Sequence, residues 1–172
     1  MSDAAQGDTR ILYSDTNVVI NLTHIARLDL FGRLTGYEIV VPDHVRQELT
    51  REDQRRALDD AVARGYCRIE SITNLEALQV FAELRTVIGS GEAACLVLAE
   101  RTGGIVLSDE KRRFRREVER RIGLERLMGT ADLFLLAIRS GLISVEEADR
   151  YKETLEQNRF RMPFASFRDL IS

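Results

Sequence analysis

Short apolar runs alternate along this chain with segments of helical length, and that alternation leaves few folds open. Ile11–Ser14, Glu38–Val41 and Ile105–Leu107 are strand-sized and rich in branched or aromatic residues. Cys67–Ile72 and Leu124–Met128 are weaker strand candidates. Between and after them, helical patterning predicts helices over 18–34, 43–49, 54–64, 75–88, 92–101, 112–121, 131–139 and 145–158. Strands that carry almost no polar alternation need cover on both faces, which parallel βαβ units supply. The expected fold is therefore α/β, three-layered, with a central parallel sheet. In such sheets ligands gather outside the carboxyl ends of the strands, where the strand order reverses.

Against that background "ILYSDTNVVINL" is chemically awkward. Asp15, followed by Thr16 and Asn17, separates two apolar segments that both belong in a core. A buried carboxylate is costly unless it is hydrogen-bonded, paired or bound to a metal. It could also simply cap the helix that follows. Three further acids pose the same question. Glu48 lies in "VPDHVRQEL", beside the apolar pair Val45 and Leu49; the plain alternative is a solvated helix glutamate. Glu92 is the only charge before Glu100 in "GSGEAACLVLAE", a helix otherwise built of small and apolar residues. A favourable interaction with the helix dipole would explain the acid. It would leave the adjacent glycines unexplained, and glycines permit close backbone approach. Asp109 ends the apolar run in "GGIVLSDEKRRF", with Glu110 as a rival for its role.

If the strands ending at Asp15 and Asp109 are neighbours, these acids meet at one sheet edge. Two charges about 4 Å apart repel by roughly 4 kcal/mol at an effective dielectric near 20. Such a group must be protonated, hydrated or neutralised by a cation. Oxygen donors with no histidine or cysteine among them suit Mg2+ or Mn2+. A dication held there can acidify water and stabilise charge on a phosphate. Thr130, in "GTADLFLLAI", reads first as a helix cap and second as an accessory to the site. Asp132 reads as a further acid or a first-turn dipole partner, and Asn17 as another accessory.

A basic stretch follows Asp109 at once. Lys111, Arg112, Arg113, Arg115 and Arg116 are candidate phosphate contacts; a solvated helix face with i, i+4 ion pairs is the competing reading. The tail "QNRFRMPFASFRDL" interleaves arginines and phenylalanines, for which core packing or a protein partner outranks strand binding. The net charge of −3 gives the whole chain no polyanion-binding character. No apolar run reaches the roughly 20 residues of a membrane span. The opening MSDAAQGDTR lacks the basic start and hydrophobic stretch of a signal peptide. Cys67 and Cys95 lack metal-ligand spacing and fit a reduced, cytoplasmic setting. His24 and His44 stand isolated and receive no role.

Taken in order, "YSDTNVVINL", "VPDHVRQEL", "GEAACLVLA" and "IVLSDEKRRF" resemble a PIN domain. With "GTADLFLLAIRSGLIS" the likeness is greatest to the prokaryotic branch with a Gly-Glu-Ala helix, related to VapC-like toxins of toxin–antitoxin pairs. The resemblance covers residues 11 to 144. It implies a three-layer α/β/α, Rossmann-like fold and a metal-dependent ribonuclease that cleaves RNA phosphodiester bonds by a metal-activated water. It implies that Asp15, Glu48, Glu92 and Asp109 gather around Mg2+ or Mn2+, with Asp15 and Asp109 as main ligands. Expected partners are RNA, an antitoxin protein and a second copy of the chain, with no membrane. The expected organisation is a lead-in over residues 1–10, a nuclease domain over 11–144, and a helix and tail over 145–172 packed on it. The chain departs from the family pattern at Glu92, where many relatives carry Asp, and at Asp132, where this branch often has a small residue. The alternative reading is a catalytically inactive PIN-like module that binds RNA or protein. Receiver and aspartyl-phosphate phosphatase folds fit badly, since Asn17 stands where the latter needs a second Asp.

Overall fold

The structure is a computed structural model that describes residues 7–171; most of the lead-in expected over 1–10 lies outside them. Five strands form one parallel sheet: β1 (Arg10–Ser14), β2 (Tyr37–Pro42), β3 (Arg68–Glu70), β4 (Ile105–Leu107) and β5 (Leu127–Met128). Their spatial order is β3-β2-β1-β4-β5. The chain thus builds outward from β1 in one direction, then crosses over to β4 and builds outward in the other. The reversal falls between β1 and β4, which opens a crevice at their carboxyl ends. Leu12 sits opposite both Ile39 and Ile105, and Ser14 opposite Leu107. Leu12, Tyr13, Val40, Val41, Val106 and Leu107 are buried, as strands covered on both faces must be.

Right-handed crossovers in opposite directions put their helices on opposite faces of the sheet. After β3 come α5 (Leu75–Leu84) and α6 (Ser90–Thr102), and α6 crosses β1, β2 and β4. Every residue from Ala93 to Ala99 is buried, which is why this helix carries small and apolar side chains all round. Belonging to the other direction are α1 (Thr16–His24), α2 (Leu30–Arg33) and α4 (Glu52–Ala63), with α1 packed on α4. The short helix α3 (Asp43–Glu48) follows β2 directly and leans on α6. The layers are completed by α7 (Arg113–Arg121), α8 (Thr130–Arg139) and α9 (Val145–Gln157), the last in contact with α1 and α8.

Three expectations need correction. The single helix expected over 18–34 is two, because the chain reverses at Ala26 (φ 53°), where Arg27 N–H donates back to Leu22 O at 2.9 Å. One straight helix could not bury Leu28, Leu30, Phe31 and Leu34 together with Val18, Val19 and Leu22; the turn lets all of them reach the core. The fifth strand is confined to Leu127–Met128, since Leu124–Arg126 coils into a 3-10 turn. The tail beyond 158, over which no element is expected, contains one. Phe167 opens a 3-10 turn, is buried, and stacks edge-on with Phe134 and Phe164 at 5.8 and 4.9 Å. Asp149 of α9 holds that turn by accepting from Phe167 N–H at 2.8 Å and Ser166 Oγ at 2.6 Å. Phe167 belongs to the core, and Phe160 and Phe164 pack against it. Among the described residues no helix is long and apolar enough to cross a membrane.

Candidate metal centre

The crevice at the ends of β1 and β4 is where the acids collect. Asp15 follows β1 and caps α1: its Oδ1 accepts from Thr16 N–H at 2.7 Å. Its own N–H donates to Leu107 O of β4 at 2.9 Å, which ties the two strand ends together. Ser108 Oγ donates to the other carboxylate oxygen at 3.0 Å. Asp15 is only 2% exposed. The helix-cap reading and the functional reading therefore describe one side chain: one hydrogen bond is a cap, a second comes from Ser108, and the same carboxylate lies beside other acids.

One carboxylate oxygen from each of Asp15, Glu92 and Glu110 lies within 4.8 Å of the others, the one such group among the described residues. Glu92 reaches this point from the first turn of α6, where its other duty is to accept from Gly89 N–H at 3.3 Å. Asn17, in the first turn of α1, donates from its side-chain amide to Glu110 Oε1. Glu48, from the end of α3, stands beside the trio. It accepts from Thr16 Oγ1 at 2.6 Å and from Gly91 N–H at 2.8 Å. Gly91 is required by that approach, since a Cβ there would fall 2.5 Å from Glu48 Oε2 and 3.1 Å from Asp15 Oδ1.

Asp109 has a different environment. Its carboxylate turns toward α8, accepting from Thr130 N–H at 2.8 Å, from the Thr130 hydroxyl, and from Asn21 Nδ2 at 3.2 Å. A Cβ on Gly129 would lie 2.7 Å from Asp109 Oδ1. Thr130 is fully buried and is the first residue of α8; Gly129 holds the cap position, and Asp132 accepts from its N–H at 2.8 Å. Asp132 thus closes the first turn of its own helix.

Burial pushes the Asp15 carboxyl from 3.8 up to about 7, against the pull of the Thr16 and Ser108 hydrogen bonds, with Glu92 and Glu48 adding repulsion. Burial also raises Glu92, reinforced by Glu110 and Glu48 and opposed by Gly89 N–H. Asp109 is raised by burial and held back by its Thr130 bonds. Among the described residues, none of Asp15, Glu48, Glu92, Asp109 or Glu110 makes an ion pair. A cluster of hard oxygen donors without an ion-paired side chain suits a dication.

Compared with known families, the chain matches the PIN domain over residues 11–172. It belongs to the PIN domain family. Among solved structures this PIN domain is similar to one described as VapBC2 from Rickettsia felis bound to a DNA fragment from their promoter. Identity there is 16%, the match spans 70% of this chain and 98% of the other, and the TM-score is 0.45. The DNA belongs to that complex. No curated protein is matched.

The basic residues of this PIN domain divide. Lys111, Arg112, Arg113, Arg115 and Arg116 are all exposed, and among the described residues none of them is ion-paired. Of these five, Lys111, Arg112 and Arg113 line the same groove as Glu92 and Glu110, together with Arg85. Beyond them on α7, Arg120 and Arg121 pair with Glu117, and Arg121 also with Glu100. Sequence reasoning missed Thr16, Asn21 and Ser108, whose side chains hold Glu48, Asp109 and Asp15. Asn21 had left a signal. It is a polar residue inside "VVINL", one helical turn after Asn17, so both amides fall on one face.

Proposed function

We propose that this PIN domain is a metal-dependent endoribonuclease, with Mg2+ or Mn2+ held by Asp15, Glu92 and Glu110. The observation that carries the reading is the convergence of these three carboxylates, none of them ion-paired among the described residues, in the crevice at the strand-order reversal. A bound dication would supply acidified water and charge stabilisation at a phosphodiester. The chain's own groups do the positioning. Thr16 and Ser108 fix the Asp15 carboxylate at both oxygens, directly or through the backbone. Asn17 orients Glu110, and Thr16 with Gly91 N–H orients Glu48 toward the same space. Asp109, a main ligand by the family resemblance and a rival of Glu110 by the residues alone, is assigned in this proposal to anchoring α8 through Thr130, with Glu110 as the ligand.

The test is cleavage of labelled RNA by the metal-stripped protein with and without added Mn2+. Cleavage that requires Mn2+ and disappears in Asp15→Asn supports the assignment; Mn2+-independent cleavage, or full activity in Asp15→Asn, sinks it. We further propose that the protein is the toxin of a toxin–antitoxin pair, forms a homodimer and works in the cytoplasm, a compartment that suits its two buried free thiols. Co-expression with the product of a neighbouring small gene, followed by co-purification, tests the first; sedimentation tests the second. The second reading, a catalytically inactive RNA- or protein-binding module, is favoured by one feature: Asp109 is committed to Thr130 and Asn21, so fewer acids face the crevice. Specific RNA binding without cleavage under any divalent metal would select it.

A further inference from the structure

Ser108 stands where the two halves of the sheet meet. It follows β4 directly, and its N–H donates to Met128 O of β5 at 2.8 Å. The register that sets Ser14 opposite Leu107 carries one step further, so Asp15 and Ser108 face each other across the strand ends. On that side Asp15 N–H donates to Leu107 O at 2.9 Å. The backbone around Ser108 is thus tied to β5 and to β1, and the residue is only 3% exposed. Its hydroxyl projects from a fixed, dry point.

A serine hydroxyl has one proton to give and lone pairs that accept. Here both capacities are used, on two different ligands of the proposed cation. The Oγ donates to Asp15 Oδ2 at 3.0 Å and accepts from Glu110 N–H at 3.2 Å. Glu110 N–H, Ser108 O–H and the Asp15 carboxylate form a chain of bonds running in one direction, each polarising the next. Among the described residues, Ser108 is the one side chain bonded to two of the three acids. The other ends of the pair are tied as well. Asp15 Oδ1 accepts from Thr16 N–H at 2.7 Å, and the Asn17 amide donates to Glu110 Oε1. Glu92 differs. It comes from α6, and its hydrogen bond, from Gly89 N–H, lies within the start of its own helix. The acids therefore divide into a braced pair, Asp15 with Glu110, and a third that is placed independently.

Bracing matters most to a cation that tolerates little adjustment. Mg2+ demands near-ideal octahedral geometry at about 2.0–2.1 Å, whereas Ca2+ accepts variable geometry at about 2.3–2.6 Å. Resting on the metal reading above, we propose that Ser108 is a positioning residue that selects the cation: it holds Asp15 and Glu110 at one spacing, and this rigidity gives the site its preference for Mg2+ over Ca2+. The hydroxyl acts through its two neighbours and is not itself a ligand. Ser14 supplies the contrast. It is fully buried and also lies against Asp15, but its hydroxyl donates to the Asp15 backbone carbonyl at 3.2 Å and braces no carboxylate.

The experiment loads the metal-stripped full chain with Mn2+, follows free Mn2+ by its electron paramagnetic resonance signal, and displaces it with Mg2+ or with Ca2+. The ratio of the two half-displacing concentrations reads the preference directly. In Ser108→Ala the Mg2+ affinity is expected to fall about tenfold, as it does when the hydrogen-bonding partner of a metal ligand is removed. Ca2+ affinity should change less than about twofold, because its coordination adapts. Ser108→Thr keeps the hydroxyl and should hold the wild-type ratio. Ser108→Cys keeps the size but is a weak donor; it should lose part of the preference, and it decides the matter if the alanine variant does not fold. Ser14→Ala should lower the melting temperature without moving the ratio. Equal losses for Mg2+ and Ca2+ in Ser108→Ala, a wild-type ratio in Ser108→Cys, a folded Ser108→Thr that behaves like Ser108→Ala, or a wild-type chain that takes both ions equally well would each overturn the assignment. The metal reading fails separately. It is discarded if the wild-type chain binds no Mn2+ saturably, and it stands if Mn2+ binds and only the role of Ser108 is lost.

Discussion

Asp15 is kept in a state that works against folding. In the folded chain its carboxyl titrates at about 7, against 3.8 for an ordinary aspartate. Between those values the native state binds more protons than the unfolded one, so stability falls as pH rises through this window and the whole deficit stands above it. The difference is worth about 4 kcal/mol as an upper figure. Asp15→Asn removes the charge while keeping a hydrogen-bonding side chain. In the metal-free protein it is expected to raise stability at pH 8 by about 1–3 kcal/mol and to leave stability near pH 4 almost unchanged, since the wild-type acid is then largely protonated in the fold. Urea unfolding at the two pH values checks this; equal effects at both would mean that charge burial is not the cause. A second residue-scale comparison separates Asp109 from Glu110. Isothermal titration with Mn2+ is expected to show Glu110→Gln losing at least about tenfold in affinity, a step of about 1.4 kcal/mol. Asp109→Asn should lose less affinity and more stability, because its partners are Thr130 and Asn21.

At the scale of the element, two helix beginnings hold the site, and each does so through a glycine and its neighbour. The start of α6 presents Gly91 N–H to Glu48 and Glu92 to the cluster. Gly91→Ala would drive a methyl group to 2.5 Å from Glu48 Oε2, so Glu48 must swing away and Gly91 N–H loses its acceptor. The helix itself gains from alanine. The expected result is a protein of nearly normal thermal stability with cation affinity lowered several-fold, measured by Mn2+ titration against melting temperature. The start of α8 is built on the buried Thr130, which donates both its N–H and its hydroxyl to Asp109. Thr130→Val keeps the shape and removes the hydroxyl donor. A buried carboxylate left short of a partner costs about 1–3 kcal/mol. Chemical denaturation should show that loss, and a negligible change would mean that water replaces the hydroxyl.

For the molecule as a whole, the acid cluster couples cation binding to folding. A ligand that binds only the native state at a hundred times its dissociation constant stabilises by about 2.7 kcal/mol. In a chain of this length that raises the melting temperature by roughly 5–10 °C. Addition of Mn2+ to the metal-stripped protein is expected to produce a shift of that order, and a chelator to reverse it. The shift should vanish in Asp15→Asn. A wild-type shift of zero across millimolar Mn2+ would remove the metal centre.

Much of this arrangement was readable before any coordinates. Local patterning placed the strands at Ile11, Glu38 and Ile105 and the helix at Glu92, because burial on both faces of a sheet forces long apolar runs whatever the topology. The isolated acids at the ends of those runs were conspicuous for the same reason: a carboxylate beside a buried strand needs a compensating partner, and the chain order supplied none nearby. What the chain order could not decide was where side chains point. Asp109 and Glu110 are adjacent in sequence, yet one turns toward α8 and the other toward Asp15, a choice made by Thr130 and Asn21 on one side and Asn17 on the other. The groove that brings Glu92 together with Arg85 and Arg113 likewise depends on contacts between segments far apart in the chain. Covalent order and solvent exclusion determine which segments are buried; hydrogen bonds across the crevice, which exist only after β1 and β4 have paired, decide which of the acids share one space.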